Sequence, residues 1–413
     1  MAAVLSFDDG YRDFLEFAIP ALERHGVRAM TRIGMLSSAG LAVVSRHRDA
    51  RIAGRSASPA RVTSVGAALA ASAPTRVVSS PDGGPGVARA LAFRCDGDAV
   101  VGAGHVARCI PLAAAFAEAG WSPVFVGEYT GLAEWLLDRA GCPRIAPARD
   151  ACGLDDGWAA AVVDTYTIPD SELCAAAARR PLLTLAEARR CSKRGVVLDY
   201  HLDAPGAATE LVKPDRLVAG PRYAPLDPRL AAARSPRPTV GRVLVTVGGT
   251  DRAQRLVPQI AQQVAHHFPG VTILAPIAGA APFGVERLPC PTALVDVLPD
   301  IDLAVSAAGI TAYELACAGV PSLVVALAAN QLRVARACDA AGVAIGVDGL
   351  RSDVTAALEA GLQRLTDPGL RATLIEVGTR IFDGHGAERA AAEVQRRWAL
   401  AGLAERPDGR FEA

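Results

Sequence analysis

Three glycine-rich turns in this chain have the composition of a phosphate cradle. Gly102-Ala103-Gly104-His105 stands directly before a helix expected from about Val106. Thr246-Val247-Gly248-Gly249-Thr250-Asp251 follows a short apolar run, and Ser306-Ala307-Ala308-Gly309-Ile310-Thr311 leads into a helix carrying Tyr313 and Glu314. Glycine lets the main chain approach a ligand closely, and the amides of a helix start favour negative charge. In the third turn the Thr311 hydroxyl is a further donor to a phosphate oxygen, and the Glu314 carboxylate can accept from a ribose diol. The same two residues also fit a capping box, with Thr311 as N-cap and Glu314 as its partner three residues on. The first turn lacks the third glycine of the dinucleotide fingerprint, and no acidic residue marks the end of the second strand, so a nicotinamide enzyme is disfavoured.

The elements that must hold these turns alternate in a regular way. Short apolar runs at Leu91 to Cys95, Pro123 to Val126, Ala160 to Val163 and Val196 to Leu198 are separated by Ala-rich helical stretches. A second series follows at Val243 to Val247, Val271 to Leu274, Leu303 to Ser306 and Leu323 to Ala326. Continuous apolar strands between helices are the mark of parallel sheets buried on both faces. The fold class expected is α/β, with two Rossmann-like doubly wound domains facing a cleft. Ligands of such sheets sit at the carboxyl ends of the strands, where all three turns fall. The expected organisation is a strand-helix segment at 1–30, an irregular linker at 31–88, an N-terminal Rossmann-like domain at 89–235 and a C-terminal one at 240–385. A helix and tail at 386–413 complete it, the helix running from about Gly386 to Ala401 and packing back across the hinge.

Composition narrows the partners. Lysine plus arginine and aspartate plus glutamate both number 43 in 413 residues, so zero net charge gives no reason to expect a nucleic acid or an anionic membrane. The 51% hydrophobic content contains no run of 18 apolar residues, and no basic-then-apolar leader opens the chain. A cytoplasmic protein without membrane insertion, monomeric or weakly dimeric, is the expectation. The nine cysteines are odd in number and form no C-x-x-C, which disfavours a disulfide framework or a zinc site.

From about Phe93 to Arg397 the chain resembles the UDP-sugar hydrolases of the pseudaminic-acid pathway, also called spore-coat polysaccharide-type proteins. The motifs that carry the resemblance begin with Phe93-Arg94-Cys95-Asp96, Gly102 to Cys109, Val162-Val163-Asp164-Thr165-Tyr166 and Gly220 to Leu226. Val247 to Asp251, Ser306 to Leu315, Gly319-Val320-Pro321, Asn330-Gln331 and Asp383 to Ala387 continue it. The resemblance implies the GT-B fold of the lipid-II-forming glycosyltransferase. It implies that His105 activates water against the anomeric carbon, and that Tyr166 and Asn330 line the sugar pocket. It also implies that Glu314 binds ribose and that Thr311 with its turn binds phosphate. On this basis the candidate catalytic residues are His105, Tyr166 and Asn330, and the nucleotide-binding set is Gly102, Gly104, Gly248, Gly249, Ser306, Gly309, Thr311, Glu314 and Gln331.

Histidine titrates near neutral pH and suits a general base. The expected reaction is hydrolysis of a UDP-linked amino or deoxy sugar with inversion, the small-molecule UDP-sugar being substrate and no cofactor being needed. The alternative is a GT-B glycosyltransferase that moves the sugar to a small-molecule or cell-surface glycan acceptor. The chain departs from the family at Ala308 for a second glycine, at Thr165 for a histidine, and at Asp199 to Asp203, which lacks paired acidic residues. Asp96-Gly97-Asp98 has the spacing of a metal-binding D-x-D, but the resemblance places it in a metal-free fold, and no metal site is expected. Leu5 to Asp13 and Pro20 to Val27 resemble the start of a polysaccharide deacetylase, without the later histidine pair such an enzyme needs.

Overall fold

The computed structural model describes residues 34–37, 40–43, 89–98, 101–148, 152–185 apart from 155, 195–204, 214–232, 239–248, 251–289 apart from 278–280 and 282–283, and 291–400 apart from 352. The deacetylase-like motif, residues 234–238 at the boundary between the two expected Rossmann-like domains, and most of 31–88 lie outside these residues. The chain divides into two compact units, 1–83 and 84–413. In the first, strand β1 (Gly34–Ser37) pairs antiparallel with β2 (Gly40–Val43).

The second unit holds two parallel sheets. The first contains β3 (Arg89–Cys95), β4 (Trp121–Val126), β5 (Arg144–Ile145), β6 (Ala160–Asp164), β7 (Leu182–Leu185), β8 (Val196–Asp199) and β9 (Leu217–Ala219), in the order β5-β4-β3-β6-β7-β8-β9. The second contains β10 (Arg242–Thr246), β11 (Thr272–Ala275), β12 (Val285–Arg287), β13 (Leu303–Ala307), β14 (Ser322–Ala326) and β15 (Ile345–Asp348), in the order β12-β11-β10-β13-β14-β15. In each sheet the order reverses beside the first strand, which opens a crevice at the carboxyl edge there. The eight strands expected from the apolar runs are all present, with ends shifted by no more than two residues. The five that carried no signal are short strands, most of them at or near sheet edges.

Alternation along each strand sends side chains to two cores. In the first sheet Leu91, Phe93, Cys95 and Val162 face one core, while Ala92, Ala161 and Val163 face a smaller one. In the second, Leu244, Leu274 and Val324 share the first core, while Val243, Val245, Val305 and Val325 build a third. Apolar packing on both faces of each sheet is the doubly wound arrangement.

Eleven α-helices lie among the described residues. They are α1 (Gly104–Glu118), α2 (Gly131–Arg139), α3 (Asp170–Arg179), α4 (Arg229–Ala232), α5 (Asp251–His267), α6 (Leu294–Val297), α7 (Ile310–Cys317), α8 (Gln331–Ala341), α9 (Val354–Leu365), α10 (Pro368–Ile381) and α11 (Gly386–Leu400). Helix α11 returns from the second sheet to the first. Trp398 stacks on Phe116 of α1 at 5.8 Å and meets Trp121 edge-on at 5.8 Å. Arg397 donates to the carbonyl oxygen of Pro214, Arg389 to that of Arg222, and Trp121 Nε1 to Gln395 Oε1. Gly386 is required at the start of α11, because a Cβ there would lie 2.0 Å from the Ala224 carbonyl oxygen.

Truncating Trp398 empties a buried aromatic site, so Trp398→Ala is expected to lower unfolding free energy by about 3–5 kcal/mol in urea titrations, with Trp398→Phe losing much less. An unchanged midpoint for Trp398→Ala would show that α11 does not anchor the first sheet.

Candidate active site

Asp164 ends β6 at the carboxyl edge of the first sheet, opposite Cys95 at the end of β3. His105 and Arg108 lie three residues apart on the first turns of α1, so they share one helix face. Both reach Asp164. Arg108 Nε donates to Oδ2 at 2.6 Å and Nη2 to Oδ1 at 2.8 Å, a two-pronged pair that matches the guanidinium fork to the carboxylate. His105 Nδ1 lies 2.9 Å from the same Oδ1. His105 and Asp164 are 3% and 2% exposed, so the pair lies in a low-dielectric setting. Burial alone would raise the Asp164 pKa. The Arg108 charge, followed by His105, overrides it and holds the carboxyl well below the usual carboxylate range.

Arg108 Nη2 also approaches Nδ1 of His105, at 2.8 Å. An ionised carboxylate and a guanidinium cannot both be served by one ring nitrogen. Two donors from Arg108 already satisfy Asp164, and a bare Nδ1 lone pair facing the anion would be repelled. With the proton on Nδ1 it is donated to Asp164, and Nε2 is left as an acceptor. Tyr166, two residues beyond the strand end, sets its ring edge-on to the imidazole at 4.8 Å and 76°. The turn before α1 depends on Gly102, whose φ is +78°.

The second sheet presents its own turns. Helix α7 starts at Ile310 with Gly309 as its N-cap, and no side chain caps it. This removes the capping box: Thr311 is already inside the helix, where its hydroxyl lies beside the Glu314 carboxylate. Glu314 is half-buried, and burial with the nearby Asp227 charge pushes its pKa up to about 7 despite the Thr311 contact. Ser306 is completely buried, and its hydroxyl donates to the Ala307 carbonyl oxygen. Asn330 is the N-cap of α8, exposed and without a side-chain cap bond. Gln331 is turned inward, its Oε1 accepting from the Leu327 amide at 2.8 Å. Gly248 is exposed with φ +92°, and Gly249 lies outside the described residues.

His105 and Tyr166 are therefore in contact, as are Thr311 and Glu314, while Asn330 and Gln331 head a third element. Arg108 and Asp164 were not singled out as site residues from sequence, although both fall in the quoted motifs. The i, i+3 spacing of His105 and Arg108 and a lone aspartate closing an apolar strand were the available signals. The D-x-D carboxylates serve their own loop: Asp96 Oδ1 accepts from Arg94 and the Glu128 amide, and Asp98 from the Val101 amide. Among the described residues no three His, Cys, Asp or Glu side chains converge as a metal site would need, and no helix is long and apolar enough to cross a membrane.

No protein-family profile matches the sequence, and no curated protein matches it at a significant level. Solved structures do match in fold. The glycotransferase of kitacinnamycin superposes with a TM-score of 0.54 at 15% identity, over 75% of this chain and 99% of that one. The calicheamicin glycosyltransferase CalG4 gives 0.53 at 17% identity, over 76% and 99%. A putative UDP-N-acetylglucosamine 2-epimerase from Listeria monocytogenes gives 0.53 at 11% identity, over 78% and 99%. With the two sheet orders, these likenesses define the class: the chain has the α/β GT-B fold.

A carboxyl with a raised pKa keeps its proton longer in the folded than in the unfolded chain. Stability conferred in this way is full below the ordinary value of 4.5 and is lost as pH rises toward 7. Glu314→Gln is expected to flatten the fall in melting temperature between about pH 5 and about pH 7. An equally steep fall in the variant would show that Glu314 does not titrate in this window.

Proposed function

We propose that the chain transfers a sugar from a UDP-linked donor to a hydroxyl acceptor, with inversion at the anomeric carbon. The observation that carries this is the buried Asp164 carboxylate against Nδ1 of His105. It engages Nδ1, leaves Nε2 as the base, and stabilises the imidazolium that forms when a proton arrives. In the reaction Nε2 takes the acceptor's proton, the acceptor oxygen bonds to C1, and the C1–O bond to UDP breaks. The leaving diphosphate is met by the amides at the uncapped starts of α1 and α7 and by Thr311, with Gly102, Gly104, Gly248, Gly249 and Gly309 permitting close approach. Glu314 accepts from the ribose, Tyr166 and Asn330 face the sugar, and Gln331 holds the turn before α8.

Transfer is preferred to hydrolysis because the kitacinnamycin and calicheamicin proteins of the same fold are described as glycosyltransferases. The hydrolase reading, with water in the acceptor's place, rests on the sequence resemblance. Both use the same base, and one experiment separates them. UDP release from a panel of UDP-sugars is measured without acceptor and then with aglycone and glycan acceptors. Release only with an acceptor, accompanied by a glycosylated product, is expected. Equal release of UDP and free sugar without acceptor would return the chain to the hydrolases. His105→Ala is expected to lower turnover by about 10²–10⁴-fold while UDP affinity is retained, and loss of UDP binding would make His105 structural instead.

A further inference from the structure

A second histidine–carboxylate pair lies two strands along the same sheet edge, and it is joined to the other sheet. Asp199 ends β8 and accepts from His201 Nδ1 at 2.8 Å and from the His201 amide at 3.2 Å. Its other oxygen accepts from Arg333 Nη2 at 3.1 Å, and Arg333 also grips Asp203, with Nη2 2.8 Å from Oδ1 and Nε 2.9 Å from both oxygens. Arg333 belongs to α8, two residues after Gln331, and is separated from Asp199 by 134 positions. Asp199 is almost fully buried and the Arg333 side chain only 18% exposed, so solvent screens this contact less than an ordinary surface pair. Beside it, the His201 ring stacks on Tyr200 at 4.8 Å and meets Tyr313 of α7 edge-on at 6.4 Å, and Tyr313 stacks on Phe382 at 4.7 Å.

The segment from Asp199 to Asp203 thus touches both helices that carry proposed donor-binding residues, α7 through Tyr313 and α8 through Arg333. It is also continuous with β8, which is separated from β6 and its Asp164 by one strand. We infer that Arg333 is a positioning residue, a clamp between the sheets that sets how far the donor helices stand from His105. A fork across two carboxylates fixes both angle and distance, which a single surface pair does not. With its charge removed, the Asp199 edge shifts against α8 and the anomeric carbon is misplaced relative to Nε2. Helix α11 and the shared core still hold the sheets together, so the nucleotide contacts on the second sheet keep their partners and only those at the start of α1 weaken. The catalytic consequence rests on the transferase reading; the clamp itself does not.

The test uses the full chain with Arg333→Asp, Asp203→Arg, the double exchange, and Arg333→Lys as the milder variant. Near-ultraviolet circular dichroism confirms folding of each. Small-angle scattering without ligand is expected to give a larger radius of gyration for Arg333→Asp, an intermediate one for Arg333→Lys, and a return toward wild type in the double exchange. With donor and acceptor, kcat of Arg333→Asp is expected to fall about tenfold to a hundredfold while UDP affinity falls less than kcat, and the double exchange to recover most of both losses. Wild-type scattering and kcat in Arg333→Asp, or a double exchange no better than the worse single, overturns the clamp. If the wild type turns over no UDP-sugar, the function proposed above fails, and the scattering of the four variants still decides whether the clamp exists.

Discussion

The site depends on one buried charge. Asp164 has no access to water, and a lone carboxylate there would neutralise itself by taking up a proton. Arg108 prevents this with two hydrogen bonds, and the anion so maintained lies against Nδ1 of His105. Removal of either charge leaves the other buried and unpaired, at a cost of about 3–5 kcal/mol. The parts are therefore interdependent: α1 must start where Gly102 turns it, β6 must end at Asp164, and the helix face must carry both basic side chains.

The same edge repeats the motif with a different partner. At Asp164 the arginine comes from the same sheet's helix, and the histidine lies edge-on to Tyr166. At Asp199 the arginine comes from the opposite sheet, and the histidine is packed between aromatic rings. In the function and the clamp proposed above, one carboxylate serves chemistry and the other fastens the halves of the fold. The difference follows from which helix reaches the strand end.

Much of the architecture was legible because buried parallel strands read as unbroken apolar runs. Ala160 to Asp164 and Leu303 to Ala307 are of this kind, and Gly309 marks the turn after the second. The two residues of β5 and the three of β9 and β12 leave no periodic trace, and only tertiary pairing makes them strands. Within the site, His105, Tyr166, Thr311 and Glu314 stood out through local motifs. Arg108–Asp164 and Arg333–Asp199 did not, since their partners lie 56 and 134 positions apart and nothing local records the pairing. The Thr311–Glu314 ambiguity was also beyond local reasoning, because it turned on whether the helix began at Gly309 or at Thr311.

The central claim is that Asp164 places the His105 proton on Nδ1 and leaves Nε2 as the base. Nitrogen-15 NMR of histidine-labelled protein tests it directly, at a pH above the titration of the ring, with His105→Gln to assign the signal. The account predicts a protonated Nδ1 and an unprotonated Nε2 for His105, with the pattern changed in Asp164→Asn. A proton on Nε2, with Nδ1 accepting from Arg108, would contradict it.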